Sequence, residues 1–342
     1  MRIRGLGRLQ QAARRFGNIF MQKGLILAYH RVSDLATDPQ LLSVTPQHFR
    51  EHLEILQKSY QPLSLQQLAL CLKERKLPDR SVVVTFDDGY ADNLHNAKPL
   101  LEQYAIPAMV SVTTGYVGQA KEFWWDELER LLLLSPSLPE LLQVSVNGVA
   151  YSWHMDEKVV SDYRRWNVTM PETPTPRHRA YRDLHRLLRP LGYDAQEAIL
   201  ADLRRQTGDS GQGRSDYLVL SPEEVHQLAA GGLVEIGSHT VTHPVLADQS
   251  LEFQRFELVE SKRQLEAILE QPVTSLAYSY GTSNDAGEAT AKLAREAGYK
   301  IGLANFPFPV TQQTNIFQLP RYLVRDWGGD TFASHLARWF RG

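Results

Sequence analysis

The chain has 342 residues, 37 Lys+Arg against 39 Asp+Glu, a formal net charge of -2, and 43% hydrophobic and 22% charged residues. That balance gives no overall electrostatic case for nucleic-acid binding, and the length fits one large α/β domain with insertions or two domains. A single cysteine, Cys71, excludes an intrachain disulfide and a thiolate metal cage.

The chain opens with "MRIRGLGRLQQAARRFGNIFMQK", which carries Arg2, Arg4, Arg8, Arg14, Arg15 and Lys23 and no acid. Arginines interrupt every apolar run there, so residues 1–23 make a poor signal peptide. Ile3, Leu6, Leu9, Ala13, Phe16 and Phe20 recur at roughly helical spacing. The segment therefore reads as a basic amphipathic helix, suited to docking on the protein or to peripheral contact with an anionic membrane. No run reaches the length of a membrane span. The expected location is the cytoplasm, with peripheral contact at the inner membrane surface through residues 1–23.

Seven short strand-like runs follow: "LILAYH" (25–30), "VVVTF" (82–86), "AMVSVT" (108–113), "LVEIGSH" (233–239), "SLAYS" (275–279), "YKIGLA" (299–304) and "YLVRD" (322–326). Helical patterns alternate with them. Thr45-Pro46 opens one, Ser221-Pro222 with Glu224 reads as a capping box, and "EFQRFELVESKRQLEAILE" and "DAGEATAKLAREAGYK" are two more. The alternation predicts a parallel sheet with helices outside it. A long mixed segment, about 119–216, breaks the rhythm and holds Trp124, Trp125, Trp153 and Trp166. It reads as an insertion or cap on the main 24–342 domain.

Two stretches carry chemistry. In "VVVTFDDGYADN" the adjacent carboxylates Asp87 and Asp88 end a β-branched run, and like charges so close ask for a cation. In "VEIGSHTVTHP", His239 and His243 stand four apart just past another strand. Strand C-termini of a parallel sheet share one face, where ligands bind. One aspartate and two histidines on that face make a three-ligand metal set with positions left open for water and substrate.

Thr85-Phe86-Asp87-Asp88-Gly89, His239-Thr240-Val241-Thr242-His243 and the variant "LAYSYG" resemble the motifs of the polysaccharide deacetylases, the NodB-homology carbohydrate esterases. The resemblance implies a distorted (β/α)7 barrel, with the insertion over or beside the active-site face. It also implies a hydrolase that removes N-acetyl groups from an N-acetylhexosamine-containing polysaccharide or glycan precursor. Asp87 would be the general base. Asp88, His239 and His243 would hold one divalent metal ion, Zn2+ ahead of Co2+ or Ni2+. The Tyr280 backbone N–H would bind the oxyanion.

Two departures stand out. Ala277 occupies the place of the arginine that often tethers the base, and Arg321 in "LPRYLVRD" is the expected substitute. The usual late general-acid histidine is missing. His335 falls in a helical pattern with a packing or surface role, so His30, at the end of the first strand, is expected as the acid. His154 and His178 are the reserve candidates, ahead of a helical His185. Trp327 is expected to pack beside the site. A metal-dependent phosphatase and a catalytically degenerate, glycan-binding version of the fold are the rival readings; nucleic acid is not an expected partner.

Overall fold

The computed structural model describes residues 22–155 and 163–341. The amphipathic helix expected for the first 23 residues thus lies outside the described residues, apart from its last two. Among the described residues, no helix is long and apolar enough to cross a membrane.

All seven expected strands form: β1 (Gly24–Tyr29), β2 (Ser81–Phe86), β3 (Ala108–Val112), β4 (Val234–Ser238), β5 (Ser275–Ala277), β6 (Ile301–Leu303) and β7 (Tyr322–Leu323). They pair in parallel in the order β6-β5-β4-β3-β2-β1-β7. Among the described residues β6 and β7 do not pair directly; a parallel bridge from Leu303 to Leu319, just before β7, links the two ends, so the sheet curls into an incompletely closed (β/α)7 barrel. A two-residue strand that the sequence did not announce, Gln61–Pro62, adds to the lower end of β2.

Strand periodicity divides the interior in two. Leu25, Leu27 and Tyr29 of β1 and Val82, Val84 and Phe86 of β2 belong to the layer between sheet and helices. The alternate residues Ile26 and Val83 join Met109, Ala277 and Leu303 inside the barrel. Leu65, Leu68 and Leu72 of the helix Leu65–Glu74 belong to the same interior cluster. The next inward positions, beyond the ends of β1 and β2, are His30 and Asp87.

The expected helix starts hold. Thr45 caps Pro46–Ser59, and Ser221 with Glu224 forms a reciprocal capping box on Pro222–Ala229. "DAGEATAKLAREAGYK" is helical over a shorter span, Glu288–Glu296. The insertion folds as helices, among them Pro176–Leu188 and Tyr193–Thr207, and a hairpin, Leu141–Val146 with Val149–His154. Its ends are stapled together. Arg214 bridges the buried Glu122 and Glu129 at 3.0 Å each, and the Gly213 N–H donates to the Ala120 carbonyl at 3.2 Å. Trp124, Trp125, Trp153 and Trp166 are all buried in the same apolar cluster as the outer face of the barrel strands.

Candidate active site

Register builds the site. Six parallel pairs, ending at Tyr29–Phe86, set His30 beside Asp87. Pairing of Ala28 with Leu323 and of Leu276 with Ser238 brings Arg325 next to His30 and Ala277 next to His239. His30, Asp87, Asp88, His239, His243 and Tyr280 line one cavity of about 250 Å³ at this end of the sheet.

Alternation alone would point adjacent Asp87 and Asp88 to opposite faces. The backbone prevents this: Asp88 and Gly89 are left-handed, at φ 74° and 80°, so the chain turns back and keeps both carboxylates at the cavity. Thr240, His243 and Tyr280 are also left-handed. For the β-branched Thr240 this is costly. Its hydroxyl offsets part of that cost by accepting the His243 N–H at 3.1 Å and bonding Ser279 Oγ at 3.1 Å. Ser279, the departure from the expected third motif, thus braces the histidine loop.

Asp88 Oδ1 lies 3.4 Å from His239 Nε2 and 3.5 Å from His243 Nε2. Tetrahedral bonds of about 2.0–2.1 Å would put neighbouring ligand atoms about 3.3–3.4 Å apart, so the spacing fits a metal ion. Asp88 Oδ1 is buried without a hydrogen-bond donor, as a carboxylate oxygen intended for a cation would be. His239 Nδ1 is 2.8 Å from the Ala277 carbonyl. That carbonyl can only accept, so Nδ1 carries a proton and Nε2 is the nitrogen turned toward Asp88; burial lowers the His239 pKa, but Asp87 and Asp88 outweigh it and hold it above the usual value. Burial holds His243 near pKa 3, with charge on His239 adding to the effect, so its imidazole is neutral and able to ligate.

Asp87 sits in a different environment. Arg321 grips it with two parallel bonds, Nη1–Oδ1 at 2.8 Å and Nη2–Oδ2 at 2.7 Å, and Ser111 Oγ donates to Oδ1 at 2.7 Å. Burial pushes this carboxyl up, but the Arg321 guanidinium and His239 outweigh it and hold Asp87 far below the usual range. Arg321 reaches from inside the barrel, its Nε donating to the Ala304 carbonyl. The half-buried His30 is lowered by burial, against the opposing pull of Asp88 and Asp87. Among the described residues, no protein acceptor takes the Tyr280 backbone N–H.

A family model described as polysaccharide deacetylase matches residues 74–133 and 182–302, just over half of the chain. The chain belongs to the polysaccharide deacetylase family. The gap between the matched parts falls inside the insertion. YxkH of Bacillus subtilis (strain 168) is 21% identical over 314 residues, 91% of this chain and 75% of that protein. The poly-beta-1,6-N-acetyl-D-glucosamine N-deacetylase of Escherichia coli (strain K12) is 35% identical over 85 residues, 24% of this chain and only 13% of that protein. The fold matches that of IcaB from Ammonifex degensii, with a TM-score of 0.57 at 17% identity over 94% of this chain and 98% of that one. It also matches the Streptococcus pyogenes deacetylase PplD, with a TM-score of 0.56 at 18% identity over 92% and 99% of the two chains.

Two expectations need correction. Trp327 does not line the cavity; it stacks on His335, with ring centroids 4.0 Å apart, because the C-terminal helix Gly329–Arg341 lies against it. Of the insertion's histidines, it is His185 that faces the cavity, whereas His178 packs against Trp166 and His154 lies exposed on the hairpin. Lining residues missed from the sequence include Trp125, Arg189, Gln40 and Arg325. Arg325 carried a readable signal, since it follows a strand end. The other three sit on loops or on the insertion, where no periodicity points to the site.

Proposed function

We propose that the chain is a metal-dependent hydrolase removing N-acetyl groups from an N-acetylhexosamine-containing polysaccharide or glycan precursor. The observation that carries this reading is the division of labour between adjacent carboxylates. Asp88 faces two histidine Nε2 atoms at ligand spacing, and Asp87 is held ionised by Arg321. A divalent ion held by Asp88, His239 and His243, zinc ahead of cobalt or nickel, would polarise the acetamido carbonyl and acidify water at the site.

The protein groups supply the rest. Asp87 accepts a proton from the attacking water as the new C–O bond forms. Arg321 keeps that carboxylate oriented and ionised, at some cost to its basicity. The Tyr280 N–H is a fixed donor for the carbonyl oxygen as it gains charge. His30, once it has taken up a proton, delivers it to the amine nitrogen as the C–N bond breaks, and acetate and the free amino sugar result. The buried, complete set of ionisable groups favours catalysis over the degenerate glycan-binding reading, and the paired imidazoles favour it over a magnesium phosphatase.

The test is acetate release from N-acetylglucosamine oligomers by the zinc-loaded protein, with mass spectrometry of the product. Asp87→Asn should lower the rate roughly 10²- to 10⁴-fold while metal content stays unchanged. His243→Ala should lose the metal by elemental analysis. Wild-type turnover in the first variant, or full occupancy in the second, would refute the assignments.

A further inference from the structure

Charge around the cavity is unevenly matched. Asp87 is paired with Arg321, and Arg189 is paired with Asp285 at 2.7 Å while its guanidinium lies over the Tyr280 ring. Arg325 has no such partner. Among the described residues, no carboxylate comes within ion-pair distance of it. Its Nη1 donates to the backbone carbonyls of Leu41 and, at 3.2 Å, of Gln40. Among the described residues, Nε and Nη2 find no acceptor, and neither is buried away from the cavity. Asp38 is the acid that acts on Arg325 electrostatically, but its two oxygens are committed to the Leu42 and Ser43 N–H groups at 2.9 and 2.8 Å.

Three of the five N–H donors of this half-buried guanidinium, on Nε and Nη2, are thus left to whatever fills the cavity, water or an anionic oxygen. Tethering the 38–43 loop does not explain the charge, because that role uses a single nitrogen. Among the described residues, Asp87 and Asp88 are the only acids lining the cavity, and one is paired while the other faces the metal ligands. We propose that Arg325 is a specificity-determining residue that binds an anionic oxygen group of the substrate, a phosphate or a carboxylate. The planar guanidinium fork suits both. The strand register sets Arg325 beside His30, so the anion sits on the reacting sugar or its immediate neighbour. The substrate is thus a charged glycan, not a neutral N-acetylhexosamine homopolymer. This rests on the deacetylase reading above.

Three N-acetylglucosamine-containing tetrasaccharides separate the outcomes: a neutral homo-oligomer, one alternating with glucuronate, and one bearing a phosphate monoester. For the zinc-loaded full chain, kcat/KM on one or both charged substrates should exceed the neutral value by roughly 10- to 100-fold, the range of a charged hydrogen-bond pair. The two charged arms identify the anion. In Arg325→Gln the charged-to-neutral ratio should collapse toward one, the loss falling on KM, and Arg325→Lys should recover part of it. An equal ratio in the wild type, or an unchanged one in Arg325→Gln, overturns the proposal. If no substrate releases acetate, inorganic phosphate is titrated against thermal unfolding with zinc chelated. A rise in Tm that Arg325→Gln abolishes keeps the anion subsite and refutes the deacetylase reading. Identical behaviour of the two proteins refutes the subsite.

Discussion

Asp87 and Arg321 form a fully desolvated pair, with side-chain exposures of 3% and 0%. Such a pair adds little net stability over an apolar replacement, but removing one member strands the other as a buried charge. Arg321→Met should therefore destabilise the fold by about 3–5 kcal/mol in urea denaturation. It should also raise the Asp87 pKa, since the guanidinium is the main influence holding it down. Combining Arg321→Met with Asp87→Asn should cost clearly less than the sum of the two single changes. Strict additivity would mean that the two side chains do not share their energy.

At the level of elements, the turn after β2 decides whether two neighbouring aspartates can serve one site. Gly89 adopts φ 80°, and a Cβ there would meet Val112 Cγ1, Cγ2 and Cα at 3.0, 3.1 and 3.2 Å. The last of these atoms is backbone of β3 and cannot swing away. Gly89→Ala should cost about 1–3 kcal/mol from the left-handed backbone and the steric clash together. It should also weaken zinc binding by displacing Asp88. Adding Val112→Ala should restore part of the stability, because it relieves the steric share alone. A variant with unchanged Tm and zinc affinity would show that the turn tolerates a side chain.

For the molecule as a whole, the buried His52 should make stability fall on mild acidification. His52, wholly buried, is held neutral at a pKa of about 4, chiefly by burial. Its Nε2 donates to the Trp327 carbonyl at 2.6 Å and its Nδ1 accepts from the Tyr29 hydroxyl at 3.2 Å, so the network needs the neutral ring. The unfolded chain takes up that proton near pH 6.5 and the native state only near pH 4. Stability is therefore fully present above about pH 6.5 and declines toward pH 4, by up to about 3 kcal/mol from this residue. His185 is lowered to about the same value and adds in the same direction. Urea midpoints at pH 7 and pH 5 should differ less in His52→Gln than in the wild type. Equal shifts in both would remove His52 from the account.

Seven strands, their order of chemistry and the pairing of Asp87-Asp88 with His239 and His243 were legible in the sequence. Each rests on local signals: β-branched runs, capping residues, and charged groups at strand ends. Arg321 was legible as the tether of Asp87 through the family resemblance alone, because the contact spans 234 positions and depends on which strand closes beside β1. The misplacement of Trp327 has the same origin, since only the docking of the C-terminal helix decides which face of that loop is covered. The cavity wall built by Trp125, His185 and Arg189 was not legible at all. Helical periodicity marks the buried side of an insertion, but packing against the barrel chooses which exposed polar residue meets the site. Local energetics wrote the parts into the chain, and long-range packing alone decided which of them touch.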